Sequence, residues 1–515
     1  MPTRRGWALL GARAVTGVFG IAAVVVVVGA AAFVPWPTVT ATPPATVVSP
    51  NPTEQQRVCP GPLLGLAADA GAATTASSFG SESASYGSDS GAGVATVTDL
   101  AAPDNASGGR DGTPLLLSVP VAENASRPPL MGGSQSQTAQ QETIAGLAVA
   151  ACGEAAADSW LVAGSTDIGR TSLVLLSNPT TVAATVDLTV YGESGAVEAP
   201  GATGILVQPG SQRVVPLAGL APNLKSPVVR VSTRGGQVVA SLEQSIVRGL
   251  EPGGVELVGI TAPPSVEQVV SGFIVVARAA DPALSNDTGY SDDQPGLRLL
   301  APGGEPATAT VSVAGEGGAV GTSLEVSLAP GIVTEVPLSS LATGTYTVRV
   351  TADQPVVAAA RSSVVGAGGK DFGWFVSSGA LIGDAFLGVA SGPSPVMHLS
   401  NPTSMDQRLI LTPEDGQPVE VVVAAGKSVS QPVRPVTRYT LAGAAGVVVS
   451  VGYQGDGQLS SFAVLPAGPL AAPITVYAET ARRLAEGLSL PDDDRDPGRR
   501  NDSSFVMGTR DDSQG

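Results

Sequence analysis

The sequence predicts an all-β protein: tandem immunoglobulin-like antiparallel β-sandwich modules behind a single N-terminal transmembrane helix. Three observations support this. The 515 residues include 64 Gly and 42 Pro but few aromatic or charged side chains. Gly and Pro break helices, while the abundant Val and Thr suit pleated surfaces. Apolar and polar residues alternate at period two, as in ATVDLTVYG (184–192) and ATVSVAGEG (309–317), the mark of strands with one face buried and one wet. Third, a series of strands and turns recurs three times at roughly 100 residues, too long for a propeller blade and suited to an immunoglobulin-like domain.

Residues 1–13 carry Arg4, Arg5 and Arg13 and form a cytoplasmic N-terminus. Residues 14–34 are uncharged and contain a run of valines at 24–28; as a helix they cover the roughly 30 Å hydrocarbon core of a bilayer. No Lys or Arg follows until Arg57. The positive charge therefore holds the N-terminus inside and exports the rest. This reads as a signal anchor, giving a single-pass cell-membrane protein with an extracellular exodomain. Ala30, Ala31 and Ala32 also supply the small residues of a signal-peptidase site, so a cleaved signal peptide is the competing reading. Residues 37–56, rich in Pro and Thr, form an extended, polyproline-like stalk.

Cys59 and Cys152 are the two cysteines. In an oxidising exterior a single disulfide between them is the natural inference, and two thiols are too few for a structural zinc site. The bridge ties residues 57–158 into an N-terminal module whose Ala/Gly/Ser/Asp-rich loops bury little.

The repeats are assigned to 159–265, 266–368 and 369–477. LLSNP (175–179), LLAPG (299–303) and HLSNP (398–402) occupy corresponding places, as do VQPGSQRVVPL (207–217), LAPGIVTEVPL (328–338) and VAAGKSVSQPV (423–433). Alternation puts Arg213, Val215 and Leu217 on one core-facing side, with Thr334, Val336 and Leu338 and then Val429, Gln431 and Val433 as counterparts. Glu335 falls on the opposite, solvated side. Aromatic strands, WLVAG (160–164) and WFVSSG (374–379), head the first and third units. Trp160 and Trp374 are expected in the cores, with exposed glycan-stacking platforms as the alternative. Residues 478–515 read as a short helix and a disordered acidic tail.

A net charge of −17 excludes nucleic acid as a partner, because phosphate binding needs clustered cations. His398 is the single histidine, and its place inside a strand motif implies a half-buried structural role. A Ser–His–Asp triad would have to use it, yet no GxSxG elbow supplies a nucleophile. There is no P-loop and no strand–GxGxxG–helix unit. Glu243, Glu335 and Asp371 lie singly, without the paired acids a glycosidase needs. The Asp292-Asp293 turn reads as solvated charge rather than a calcium loop. Asn178-Pro179-Thr180 and Asn401-Pro402-Thr403 are turns, since Pro blocks glycosylation there. No catalytic, cofactor or metal-binding residue is expected.

The anchor, the stalk, RVCPGPL (57–63), AACGEAAADSWLVAG (150–164) and then LLSNP together resemble an actinobacterial family of membrane-anchored secreted proteins of unknown function. The similarity spans roughly residues 57–470, and the middle repeat departs from it with Ala301-Pro302 in place of Ser-Asn-Pro. The resemblance implies a cell-envelope location, often near envelope glycan biosynthesis, and supplies no catalytic residue or ligand. The expectation is a non-catalytic cell-envelope protein with a structural or protein/glycan-interaction role. The alternative is an accessory glycan-binding factor in envelope polysaccharide assembly, and a carboxylate-based glycoside hydrolase ranks third. Beyond the membrane itself, the partners expected are envelope proteins or glycans.

Overall fold

The computed structural model describes residues 53–468 except 67–74, 90–94, 124, 126, 277–291 and 319, together with the strands at 45–48 and 474–477. The apolar run at 14–34, the N-terminal segment 1–13 expected to be cytoplasmic and the expected helix and tail after 477 lie outside the described residues. Among the described residues no helix is long and apolar enough to cross a membrane. The chain divides into two compact units. In the smaller, β1 (Ala45–Val48) pairs antiparallel with the last described strand, Ile474–Tyr477. Part of the expected polyproline-like stalk is thus a paired strand.

The larger unit begins with β2 (Gln55–Cys59), β3 (Leu64–Leu66), β4 (Ala76–Ser78), β5 (Ser83–Ser88), β6 (Thr96–Asp99), β7 (Leu115–Val119), β8 (Met131–Gln140) and β9 (Ala145–Ala151). They form three small sheets, β2-β7-β6, β3-β4 and β5-β8-β9. The expected disulfide is present: Cys59 at the end of β2 is bonded to Cys152, just past β9, among Leu117, Val119 and Met131.

Three modules follow with one strand order. The first has β10 (Asp158–Leu161), β11 (Arg170–Asn178), β12 (Ala184–Gly192), β13 (Gly195–Val197), β14 (Ile205–Val207), β15 (Ser211–Pro216), β16 (Val228–Gly235), β17 (Val239–Arg248) and β18 (Glu251–Val258). One sheet runs β10-β16-β12-β13, with β14 also on β12; the other runs β15-β11-β17-β18. The second has β19 (Ser265–Val275), β20 (Gly296–Leu300), β21 (Ala307–Gly315), β22 (Thr322–Leu328), β23 (Thr334–Pro337), β24 (Gly344–Gly366) and β25 (Gly369–Val376). Its long β24 serves both sheets, first between β19 and β21, then between β20 and β25. The third has β26 (Ala385–Val389), β27 (Val396–Ser400), β28 (Gln407–Pro413), β29 (Val419–Val423), β30 (Ser428–Pro432), β31 (Thr437–Ala442), β32 (Val448–Gly455) and β33 (Gln458–Val464). Its sheets are β26-β31-β28-β29 and β30-β27-β32-β33.

Each module is a two-sheet sandwich; in the first, Val186 and Leu188 of one sheet pack on Val174, Leu176 and Leu242 of the other. The order departs from the immunoglobulin pattern. The sheet holding β12, β21 or β28 is closed by the module's first strand, where an immunoglobulin sandwich places its last. The expected 368/369 boundary also moves. The strand carrying Trp374 is the last of module 2, hairpinned to β24, rather than the head of module 3. It is not the counterpart of the Trp160 strand, which opens module 1 beside β16.

The two sheets of a module differ in their surroundings. In what we term the open sheet, burial alternates residue by residue along β12 and β21. In the covered sheet, β11, β17, β18, β32 and β33 are buried nearly throughout. That face meets protein instead of water. Module 1 is covered by the N-terminal strands, through Leu173, Leu175 and Val214 against Leu63 and Leu64. Module 2 is covered by module 1, through Leu300, Val357, Phe372 and Trp374. Module 3 is covered in part by module 2.

Candidate functional site

Strand pairing aligns one position across the three covered sheets. Leu175 lies opposite Val214, Arg298 opposite Glu335, and His398 opposite Ser430. Each precedes a proline, Pro179, Pro302 or Pro402, by the same step, so the middle motif is set one residue earlier than its LLAPG match to HLSNP suggests. The Asn-Pro-Thr turns confirm the alignment. Asn178 donates to the Val182 and Val207 carbonyls and accepts from Thr180; Asn401 repeats this with Met405, Val423 and Thr403. These are side-chain-capped turns.

At the first joint, between modules 1 and 2, Arg298 is fully buried. Its Nε donates to Glu335 Oε1 at 2.6 Å and its Nη1 to the Gly164 and Pro227 carbonyls at 3.0 and 2.8 Å. The guanidinium lies 4.6 Å from the Trp374 ring centroid, a cation–π contact in a dry setting. Trp374 Nε1 donates to Gln244 Oε1 at 2.8 Å. Glu335, expected on a solvated face, is instead the partner of a buried cation, because that face is covered by module 1. Asp292 is corrected likewise. Burial alone would raise its pKa, but Arg361, Arg248 and Arg170 outweigh that and hold it below the usual carboxylate range; it accepts from Arg170 and Arg248.

At the second joint, between modules 2 and 3, His398 is 2% exposed. Its Nδ1 lies 3.0 Å from Glu316 Oε2, on the turn after β21. The Ser430 hydroxyl donates to the same oxygen. Around them Thr347, Ser400, Ser428 and Ser271 exchange hydroxyl hydrogen bonds of 2.7–2.9 Å. Burial pushes Glu316 up, but the bonds from His398, Ser430 and Thr347 and the attraction of His398 prevail, leaving it below its ordinary value. Strand β19 makes room by bulging between Val270 and Phe273. Gly272 sits there at φ +70, and a Cβ on it would fall 2.4 Å from the imidazole. Beside His398 opens a cavity of about 480 Å³, lined by Ile274, Thr345, Ser394, Val396, Ser430, Gly452 and Gln454 among others. Ser430 and Glu316 both address Nδ1, so this is not the relay of a Ser–His–acid triad, which needs the hydroxyl on the opposite nitrogen.

The carboxylates do come together elsewhere, in a dry place. The last strands of the modules, β18, β25 and β33, converge on β9. There Asp371 accepts backbone N–H groups from all four strands: Leu147 at 2.8 Å, Phe372 at 3.0 Å, Leu459 at 3.2 Å and Val255 at 3.3 Å. Glu256 accepts from Ser460 at 2.6 Å. Burial pushes the pKa of both acids up, and the nearby Asp371 carboxyl raises Glu256 further. Of the two, Glu256 has room for a proton: its Oε2 has no partner, while each Asp371 oxygen already accepts two N–H groups. Glu243 takes the Leu64 N–H on both oxygens, and burial raises it to about 8. All three acids serve as backbone acceptors inside the protein rather than facing a cleft.

The two tryptophans are buried, 4% and 2% exposed for Trp160 and Trp374, so neither presents a free stacking face. The Trp160 ring lies between Tyr191, 6.0 Å away, and Arg230, whose fork also holds Asp158. A further cavity of about 350 Å³ adjoins Cys152, mostly apolar, with the Arg57–Glu154 ion pair in its wall. Sequence reasoning missed Glu316, Arg298 and Glu256. A legible signal for the second joint was the polar residues at alternate positions, His398 and Ser400 in VMHLS and Ser428 and Ser430 in SVSQP.

The chain belongs to a family of unknown function, DUF5719, whose model matches residues 106–434. No curated protein matches it. Among solved structures it is similar to one titled "Crystal Structure of Thermotoga maritima 1070", at 17% identity over 22% of this chain and 90% of that one. The TM-score of 0.18 is too low to carry any inference about fold.

Proposed function

We propose, for this member of a family whose function is unknown, a non-catalytic cell-envelope protein that binds protein or glycan partners at the joints between its sandwich modules. The observation that carries the reading is the bracing at Asp371. One carboxylate gathers N–H groups from β9, β18, β25 and β33, so the modules present fixed joints instead of swinging as beads, and acids that could do chemistry are occupied by the backbone. The location rests on the arginines before the apolar run, which read as a signal anchor, and on a disulfide suited to an oxidising compartment. The scarcity of Lys against Arg fits the actinobacterial origin that the family resemblance implies. A second reading, an accessory glycan-binding factor in envelope polysaccharide assembly, is favoured by the hydroxyl-lined cavity at His398.

The test is photocrosslinking in intact cells, with a photoreactive residue at Gln454, beside the second joint, or at Val320, an exposed position 83% accessible. The expected result is a discrete adduct from position 454 alone, on an exodomain that added protease digests in spheroplasts. Equal labelling from both positions, no labelling, or a protected exodomain overturns the reading.

A further inference from the structure

The unused nitrogen of His398 has a chemical direction. Glu316 is held in its charged form and needs donors, so Nδ1 carries a proton and points it at that carboxylate. The other ring nitrogen is Nε2. It is buried and has no hydrogen-bond partner, which is costly for a polar group left unmatched. The nitrogen lies against the cavity wall at Gly452, where a Cβ would fall 3.1 Å from it. Glycine there keeps a methyl group off Nε2. Hydroxyl and amide groups of Thr345, Ser394, Ser430 and Gln454 line the rest, alongside the aliphatic Ile274 and Val396, and none of these six is charged. Ser394, at the rim, is held at φ 42, a conformation unusual for a residue with a side chain.

We propose that this cavity binds a neutral, hydroxyl-rich ligand, a saccharide, with one ligand hydroxyl hydrogen-bonded to His398 Nε2. A hydroxyl can both donate and accept and so suits this nitrogen, the uncharged lining favours a neutral ligand, and the mixed polar and aliphatic walls suit the two faces of a sugar ring. The equivalent position in module 2 supplies the contrast, since the Arg298 guanidinium is spent on Glu335 and backbone carbonyls. This rests on the reading of the joints as binding places and names the ligand class for one of them.

Because His398 is the single histidine, the full chain labelled with [13Cε1]histidine gives one imidazole resonance to watch. It is titrated with maltohexaose, mannohexaose and chitotetraose, and separately with glucuronate and inorganic phosphate. The expected result is a saturable shift with at least one neutral oligosaccharide below about 10 mM, within the range of weak specific binding. Gly452→Ala, whose methyl would cover Nε2, should abolish the shift, and the flexible end of Ile274 can yield to it. Gln454→Ala, at an exposed position, should weaken binding about fivefold, the loss of one hydrogen bond, with an unchanged unfolding midpoint. If Gly452→Ala does not fold, Gln454→Ala decides. No shift with any neutral sugar, a shift with the anions alone, or a shift that survives the variants overturns the proposal. A protein adduct from position 454 without any sugar-induced shift would keep the interaction reading and remove the saccharide.

Discussion

Arg298 and His398 hold the same register position on successive covered sheets, each facing the preceding module, yet one joint is sealed and the other keeps an unmatched ring nitrogen. Around Arg298 every neighbour answers the charge: a carboxylate, two close carbonyls and an indole face. Around His398 the neighbours are hydroxyls and one acid, all on the Nδ1 side, and the far nitrogen adjoins a cavity. A guanidinium offers five donors that burial forces to be matched, whereas an imidazole has two ring nitrogens and can leave one unmatched at modest cost. The difference shows how a repeated scaffold separates stability from recognition without changing its strand order.

The largest effect expected is from Arg298→Ala. It strands Glu335 and the Gly164 and Pro227 carbonyls inside the first joint, and should cost about 3–5 kcal/mol in urea unfolding. His398→Ala measured alongside should cost far less; equal losses would erase the distinction between the joints.

Next is Glu335→Lys, which alternation alone would rate as nearly silent. Facing Arg298, it should cost about 2–4 kcal/mol, the penalty of an uncompensated buried charge reduced by Glu335's partial exposure. A thermal midpoint unmoved by this change would show that the first joint is not closed over that pair.

The covered face of module 1 supplies a third case, a carboxyl whose donor is a backbone N–H. Burial raises Glu243 to about 8, above its unfolded value, so the folded state holds a proton that the unfolded state has released. Stability from this group is full below pH about 4.5 and declines as pH rises toward about 8, by at most about 1.4 kcal/mol per unit. Denaturation at pH 5, 6, 7 and 8 should show the decline, and Glu243→Gln should flatten it. An unchanged slope in the variant would assign the decline to other groups, with Glu256 the next to test.

The smallest effect is from His398→Gln, which keeps an amide to serve Glu316. It should alter the unfolding free energy by less than about 1 kcal/mol. A loss as large as that of Arg298→Ala would make His398 a second clamp and leave nothing spare for a ligand.

Much of the fold was legible because open-sheet strands obey a local rule. The alternation of 184–192 and 309–317 follows from one wet and one dry face, and the core placement of Val215, Val336 and Val433 came from the same period. The disulfide was legible from the cysteine count. The covered sheets were harder. VLLS and VASLEQSIV carry continuous burial, which periodicity cannot assign to a partner, and the Trp374 strand was given to the wrong module because an aromatic run marks a core without saying which. Glu316 and His398 lie 82 residues apart in sequence and meet through a turn and a bulge, and no local pattern links them.

The sequence by itself determined the strand content, the repeat, the turns at Asn178 and Asn401, and the pairing of Cys59 with Cys152. Each depends on short-range geometry or on having a single partner available. The tertiary structure alone decided that one sheet of each module would be covered wholly or in part by its neighbours, that Asp371 would collect N–H groups from four strands, and that the same register position would be a closed clamp in one joint and an incompletely matched ring in the next. Those outcomes depend on what lies against a surface, and an alternating strand encodes which residues point outward without encoding whether outward means water or another module.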